Sequence, residues 1–200
     1  KIDFDLQEMK KIYFIMSLTF LATSCDLFTT REAENPNQNR SNFQTPFSAR
    51  IVIENLKYSL ADKNVQNYVA CFVDTLFASK PYLFSASSEA MSLYQMQGWG
   101  IVEENGYLNS LVNKVPKDFS LTLSLSDTVY SSLGGDSIIY SATYSLNVPF
   151  QSDVANPKNY AGNLELKMLR DSRSEWVIYF WKDTKSQTLP SWSELKGSFY

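Results

Sequence analysis

The chain has 200 residues, of which 44% are hydrophobic and 20% charged, and it contains no histidine. This composition is typical of a globular protein of one domain, and the length is sufficient to bury a core without disulfide bonds. The lack of histidine excludes Ser-His-Asp and Cys-His catalysis and histidine-ligated zinc within this chain, and the net charge of −3 argues against nucleic-acid binding.

The first 24 residues predict a secretory signal peptide. A short basic start at residues 9–11 precedes an apolar run over residues 12–22, and small residues then lead to Cys25. Export signals use this order of basic, apolar and small residues, and the apolar run is shorter than the roughly 20 residues that cross a bilayer as a helix. Residues 1–8 do not fit the plan, so we expect translation to begin at Met9.

Cys25 resembles the modified cysteine of a bacterial lipoprotein. The small residues 22–24 form a loose lipobox, although the leucine that usually lies three residues before the cysteine is one position further back, at Leu21. The resemblance implies that Cys25 carries an acyl chain such as palmitate and becomes the first mature residue. It also implies a protein held on a lipid bilayer in the extracytoplasmic bacterial cell envelope. The alternative is an ordinary signal peptide followed by an incidental cysteine.

Residues 25–49 predict a flexible tether behind the lipidated cysteine. Residues 33–42 are rich in Asn and Gln and cannot build a core. A coil of the tether's length reaches roughly 25 Å, which would hold a domain just clear of a membrane surface. The alternative is an ordered arm that packs on the domain through Phe43 and Phe47. Cys71, the other cysteine, is expected to be buried as a small apolar residue.

Residues 50–200 predict one folded domain, and its first elements are helices. Thr45 followed by Pro46 is typical of a helix start, with threonine as the cap and proline in the first turn. A second helix is predicted over residues 65–73, where apolar side chains recur at positions i, i+3, i+4, i+7 and i+8. Residues 77–97 have weaker periodicity and contain at most a short helix.

A third helix is predicted to follow Gly98 and to end before Pro116. Trp99, Glu103 and Tyr107 lie four residues apart and are therefore expected on one stripe of this helix.

From Asp118 onward the apolar period changes from 3.6 to 2, which predicts strands joined by short connections in an antiparallel meander. The last and most aromatic strand is expected to place Trp176, Ile178 and Phe180 on one face. Val177, Tyr179 and Trp181 would then lie on the other face. Helices followed by strands predict an α+β fold, with N-terminal helices packed on a curved antiparallel sheet of about four to six strands.

The C-terminal region predicts one more short helical turn. Ser191 with Glu194 three residues later is typical of a capping box, in which each side chain binds the other residue's backbone N–H. Trp192 is expected to pack back on the sheet.

This order of elements resembles the NTF2-like, or cone-shaped α+β, superfamily. The opening that suggests it is a short helix at 54–60, a charged break at 62–64 and an aromatic-rich helix at 68–74. The closing residues 176–183 also look like the final strands of such domains. The resemblance covers residues 50–185, implies a pocket between the helices and the concave sheet, and rests on element order rather than on a signature motif.

The superfamily implies several functions, because some members are isomerases or dehydratases and many only bind ligands or proteins. Its isomerases use a carboxylate base in an apolar pocket with a tyrosine donor. Its dehydratases rely on histidine with aspartate, which this chain cannot supply.

Asp74 and Glu103 are the candidate catalytic acids, weighed together with Glu104. Asp74 follows the apolar stripe of the second helix and is expected near the mouth of a pocket, or simply in solvent at a helix end. Glu103 lies on the expected stripe of the third helix, where burial would raise its pKa and suit it to act as a base. Its alternative role is to cap the first turn of that helix.

Aromatic residues are the candidate pocket lining, with 4 Trp, 12 Tyr and 13 Phe in the chain. Core packing is the alternative for each of them. The candidates are Tyr68, Phe72, Trp99, Tyr107, Tyr140, Tyr144, Trp176 and Trp181.

No Walker loop, dinucleotide glycine motif, CxxC or calcium loop is present in the sequence, so no cofactor and no metal are expected. The leading hypothesis is a lipid-anchored, non-catalytic module that binds a small apolar ligand or an envelope protein. One alternative is an isomerase- or lyase-type enzyme with one buried carboxylate and a tyrosine donor. Another is a surface glycan-binding protein that uses exposed Trp181 and Trp192.

Overall fold

The computed structural model describes residues 42–151, 155–186 and 188–200. The predicted signal peptide, Cys25 and most of the predicted tether lie outside the described residues. Within the described part there are five helices, α1 (Ala49–Ala61), α2 (Val65–Val69), α3 (Ser88–Tyr94), α4 (Ile101–Val112) and α5 (Trp192–Ser198). Five strands accompany them, β1 (Leu83–Ser85), β2 (Thr122–Gly134), β3 (Ser137–Asn147), β4 (Asn159–Arg170) and β5 (Trp176–Lys185).

The five strands form one curved sheet in the order β1-β5-β4-β3-β2. Strands β2 to β5 are antiparallel neighbours, which confirms the predicted meander and the α+β class. Strand β1 was not predicted, because three residues are too few to show a period. It joins the sheet edge in parallel with β5, and the Phe84 N–H on its other side donates to the Trp99 carbonyl at 2.9 Å.

A bulge in β5 decides which aromatic side chains reach the core. Lys167 pairs with Phe180 and Met168 pairs with Ile178, so Tyr179 is the extra residue of the bulge. Because one inserted residue reverses the alternation, the inward face passes from Ile178 to Trp181. The predicted assignment of residues 176–181 to two alternating faces is therefore wrong beyond the bulge.

The residues just before α1 already contact the folded domain. Gln44 and Asn55 bind each other through the Gln44 N–H and carbonyl, at 2.9 and 2.6 Å. The Pro46 carbonyl accepts a hydrogen bond from the Trp176 N–H at 2.8 Å. The cap of α1 is Ser48, whose side chain accepts from the backbone of the first turn, and not Thr45 as predicted.

Helix α2 ends at Val69, earlier than the predicted Val73. The chain then turns to meet the sheet, where the Val73 N–H donates to the Ile178 carbonyl and the Ile178 N–H donates to the Cys71 carbonyl, both at 2.9 Å. Strand pairing therefore replaces the last helical turn at this point. Cys71 is buried as expected, and burial raises the pKa of its thiol.

Helix α5 closes the core against the inner face of the sheet. The predicted capping box is confirmed, because the Ser191 side chain accepts from the Glu194 N–H while the Glu194 carboxylate accepts from the Ser191 N–H. Trp192 is fully buried, with its ring 4.6 Å from that of Trp181 in an edge-on arrangement. Among the described residues, no helix is both long and apolar enough to cross a membrane.

Candidate functional site

Asp74 and Glu103, the two candidate catalytic acids, lie outside the buried core. Glu103 is the third residue of α4, where its Oε2 accepts the Gly100 N–H at 2.8 Å and so caps the helix. Asp74 is exposed in the turn after α2, and its Oδ1 accepts the Leu76 N–H at 2.9 Å. Neither carboxylate is enclosed in the core.

The buried acid of this region is the neighbouring Glu104, which is 0% exposed. The helix begins after Gly100, so Trp99 lies outside it. The predicted stripe, which counted from Trp99, therefore selected Glu103 instead of the inward-facing Glu104. Glu104, Tyr107 and Leu108 form the inward face together with Leu111. Their spacing of i, i+3, i+4 and i+7 is visible in the sequence and could have identified Glu104.

Four polar groups surround the Glu104 carboxylate. The Tyr68 hydroxyl donates to Oε1 at 2.5 Å, and the Trp99 indole N–H donates to Oε2 at 2.7 Å. The Tyr82 hydroxyl lies 3.4 Å from Oε2. The Lys196 ammonium lies 2.6 Å from Oε1 and is itself 0% exposed. These partners offset the high cost of placing a carboxylate in the protein interior.

Aromatic rings enclose the Lys196 ammonium on its other sides. Its Nζ lies 3.6 Å from the centre of the Phe84 ring and 3.8 Å from that of the Trp181 ring, which are cation–π distances. Burial lowers the pKa of Lys196 to about 8, against the opposing effect of Glu104. The centre is therefore an aromatic cage whose occupant is a lysine of the same chain.

A second buried carboxylate, Asp183 on β5, fastens the start of α5. Its Oδ1 accepts the Tyr144 hydroxyl at 2.8 Å, while Oδ2 accepts the Ser193 N–H at 2.7 Å and the Ser193 hydroxyl at 2.5 Å. Tyr144 in turn accepts the Trp192 N–H at 2.7 Å, and the Trp192 indole donates to Tyr107 at 2.9 Å. Burial raises the pKa of Asp183, while the hydrogen bonds oppose that rise.

The predicted pocket aromatics mostly meet in this core. The buried members of the set are Tyr68, Phe72, Trp99, Tyr107, Tyr140, Tyr144 and Trp181. Trp176 is half-buried against the edge of this core, and the Arg170 guanidinium lies 5.5 Å from its ring centre. Trp181 and Trp192 are fully buried, so neither can stack on a sugar at the surface.

An open groove of about 750 Å³ lies outside this core. We call it the α2–α4 groove. It is bounded by residues 43–46, by α2 and the turn after it, by residues 81–83, by the start of α4, and by the turn at 173–175. Its apolar lining comprises Phe43, Pro46, Val69, Ala70, Phe72, Val73, Pro81, Leu83, Ile101 and Val102.

Tyr82 connects the groove with the buried centre. Its side chain belongs to the groove lining, yet it is almost fully buried and its hydroxyl reaches Glu104. The ring of Phe72 packs edge-on against it at 4.6 Å between centres. These two rings form the wall that separates the groove from the Glu104–Lys196 pair.

The charges on the groove are mainly negative. Asp74, Glu103 and Glu175 line it, together with one cation, Arg173. The Arg173 guanidinium is already engaged, because it binds Asp171 at 2.9 and 2.7 Å and its Nη2 lies 3.4 Å from Glu175. Among the described residues, no group of three Cys, Asp or Glu side chains is arranged to hold a metal ion.

The comparison with known proteins supports the fold alone. No protein-family model matches the chain, and no curated protein matches it. A candidate aromatic ring hydroxylase from Novosphingobium aromaticivorans superposes with a TM-score of 0.54 at 8% identity, over 74% of this chain and 92% of that protein. A candidate scytalone dehydratase from the same species gives 0.53 at 8% identity, over 69% and 81%.

An NTF2-like superfamily protein from Salmonella enterica superposes with a TM-score of 0.50 at 11% identity, over 68% of this chain and 88% of that protein. The fold implied by the order of elements is thus confirmed, and the chain has an NTF2-like α+β fold. Identities this low carry no activity from one protein to another.

Proposed function

We propose that this protein is a lipid-anchored lipoprotein of the bacterial envelope whose NTF2-like domain binds a ligand in the α2–α4 groove without chemical conversion. The anchor rests on the sequence around Cys25. The binding role rests on an open, mainly apolar cavity of about 750 Å³, which is within the usual range of roughly 300–1,000 Å³ for small-molecule sites.

One observation carries this proposal: α5 fills the space between the helices and the inner face of the sheet. Trp192, Leu195 and Lys196 are all fully buried there. Ligands of NTF2-like proteins are expected in that space, and here the chain's own residues take it. The groove beside it remains accessible.

An enzyme of the isomerase type is the second candidate, and one observation favours it. Glu104 is a buried carboxylate with the tyrosine donors Tyr68 and Tyr82, which is the set of groups that the resemblance implies. The Lys196 ammonium, however, lies directly on the same carboxylate. A substrate would have to displace Lys196 and the helix that carries it.

Replacement of Cys25 by serine tests the anchor. We expect Cys25→Ser to abolish the incorporation of labelled palmitate and to leave the protein at precursor size. Cys71→Ser is the matched control, because it removes the other cysteine of the chain and should keep both labelling and processing. Labelled palmitate in the Cys25→Ser protein would overturn the anchor.

Backbone NMR of the full-length chain with 2-phenylethanol as a neutral apolar probe tests the binding role. We expect shift changes at Leu83, Ile101 and Val102, which line the groove. Val102→Lys should weaken these changes, because it places a charge on the apolar wall. Val129→Lys is the control, since Val129 is also exposed but lies on the distant part of β2. Shift changes confined to other surfaces would contradict the groove as the site.

A further inference from the structure

The α2–α4 groove combines an apolar wall with a rim whose net charge is negative. We propose that its ligand is a small organic cation, with an apolar body on the groove wall and an ammonium or guanidinium group held by Asp74 and Glu103. This inference rests on the proposed binding role of the groove and adds the chemical class of the ligand.

Part of the apolar wall of the groove is exposed to solvent. Val102 is 71% exposed and Leu83 is 48% exposed, although both are large hydrophobic residues that line the groove. Phe72 and Tyr82, which are almost fully buried, form part of the floor beneath these residues. An apolar ligand would remove this surface from water, and a ring or alkyl chain suits a wall of this composition.

The rim determines the charge of the ligand. Backbone N–H groups hold one oxygen of Asp74 and one oxygen of Glu103, and the Tyr200 hydroxyl lies 3.4 Å from the other oxygen of Glu103. Both carboxylates are therefore oriented before a ligand arrives. Arg173 does not balance them, because its guanidinium serves Asp171 and also packs 4.1 Å from the centre of the Phe77 ring. An anionic ligand would therefore meet repulsion, whereas a cation would gain charge-assisted hydrogen bonds.

The size of the cavity argues for a small molecule over a folded partner. A volume of about 750 Å³ encloses a ligand of drug size. A stable protein interface would need roughly 800 Å² on each partner and a flatter surface.

Three probes that share a phenylethyl body and differ in the charge of the end group test the proposal on the full-length chain. 2-Phenylethylamine, 2-phenylethanol and 3-phenylpropionate are titrated separately, and backbone NMR shifts of the groove residues give each dissociation constant. We expect the amine to bind roughly threefold to tenfold more tightly than the alcohol, as for a partly exposed ion pair. We expect the carboxylate to bind most weakly, and we expect added salt to reduce the preference for the amine.

Asp74→Asn with Glu103→Gln removes both charges and keeps the shape of each side chain. Asparagine and glutamine oxygens can still accept the backbone N–H groups, so α4 should keep its cap. The double variant should bind the amine and the alcohol equally. Glu165→Gln is the matched control, because Glu165 is a partly exposed acid on β4, outside the groove, and its loss should change nothing.

The outcomes separate this inference from the proposed function. If the alcohol binds in the groove as tightly as the amine, or if the double variant keeps the preference for the amine, the cationic ligand is wrong and the binding role stands. If none of the three probes shifts the groove residues, both proposals fail.

Discussion

The Lys196 ammonium and the Glu104 carboxylate form an ion pair of 2.6 Å in which both side chains are 0% exposed. The pair joins α5 to α4 in the buried core. Since two charges are costly to bury, the pair ties the position of α5 to that of α4.

The first prediction concerns the coupling within this pair. Glu104→Gln leaves the Lys196 ammonium in the core without its counter-ion, and Lys196→Met leaves the Glu104 carboxylate with hydrogen-bond donors but no counter-ion. Each should lower the free energy of unfolding by about 3 kcal/mol. The double variant should lose clearly less than the sum, by about 1–3 kcal/mol, because neither charge remains. Urea unfolding followed by circular dichroism measures all four proteins. Additive losses would show that the two groups do not stabilise each other.

The second prediction is a rise in stability in mild base. The pKa of Lys196 is about 8 in the folded protein against about 10.4 for an unperturbed lysine. Between these values the unfolded chain binds more protons than the folded chain, so the free energy of unfolding increases with pH. The gain of wild type relative to Lys196→Met should be about 1–3 kcal/mol from pH 7.5 to pH 10. A gap between the two proteins that does not widen would contradict the lowered pKa.

The rise should end near pH 10, because buried tyrosines act in the opposite direction. Burial raises the pKa of Tyr68, Tyr82 and Tyr107 well above the usual range. Above about pH 10 the unfolded chain loses tyrosine protons that the folded chain keeps, so stability falls. Unfolding measured at closely spaced pH values should therefore show a maximum.

The third prediction concerns the attachment of α5 through Tyr144. Tyr144→Phe removes the donor to Asp183 and the acceptor of the Trp192 N–H, and it leaves both groups buried. We expect a loss of about 1–3 kcal/mol and faster hydrogen exchange in residues 192–198. Tyr58→Phe is the control, because Tyr58 is partly exposed. Exchange in α5 that is unchanged by Tyr144→Phe would mean that apolar packing alone holds the helix.

The fourth prediction compares two glycines. A Cβ at Gly197 in α5 would lie 2.3 Å from the Tyr94 ring, so Gly197→Ala must displace α5 or α3. We expect a loss of about 1–3 kcal/mol. A Cβ at Gly106 in α4 would meet only the exposed Tyr200 ring, at 3.3 Å, so Gly106→Ala should be neutral or stabilising through helix propensity. Equal melting temperatures for the two variants would contradict the close packing of α5 on α3.

The sequence predicted the elements with strong periodicity and missed those that depend on tertiary contacts. The period-2 pattern after Asp118 and the Ser191–Glu194 cap are local signals, and both correspond to observed elements. Strand β1 and the early end of α2 arise from pairing with β5, which lies far away in the sequence. Local patterns do not contain that information.

In the prediction of the site, a shift of one residue along α4 led to the wrong acid. The stripe that starts at Trp99 selects Glu103, whereas a helix that begins after Gly100 turns Glu104 inward. Lys196, the partner of Glu104, is still harder to predict, because its position in a short amphipathic turn is typical of a surface residue. Its burial depends on rings from β1 and β5 that only the folded chain brings together.

The docking of α5 also bears on how quickly the domain folds. Its contacts are distant in sequence, and the bond between Ser87 and Ser193 spans 106 positions. Closing such long loops is slow compared with forming the β2–β3 hairpin, so we expect the core to be sealed in a late kinetic step. Until that step the cage of Phe84 and Trp181 contains no lysine. An incompletely folded molecule would therefore expose an apolar, aromatic cleft that attracts cations, whereas the folded molecule covers it.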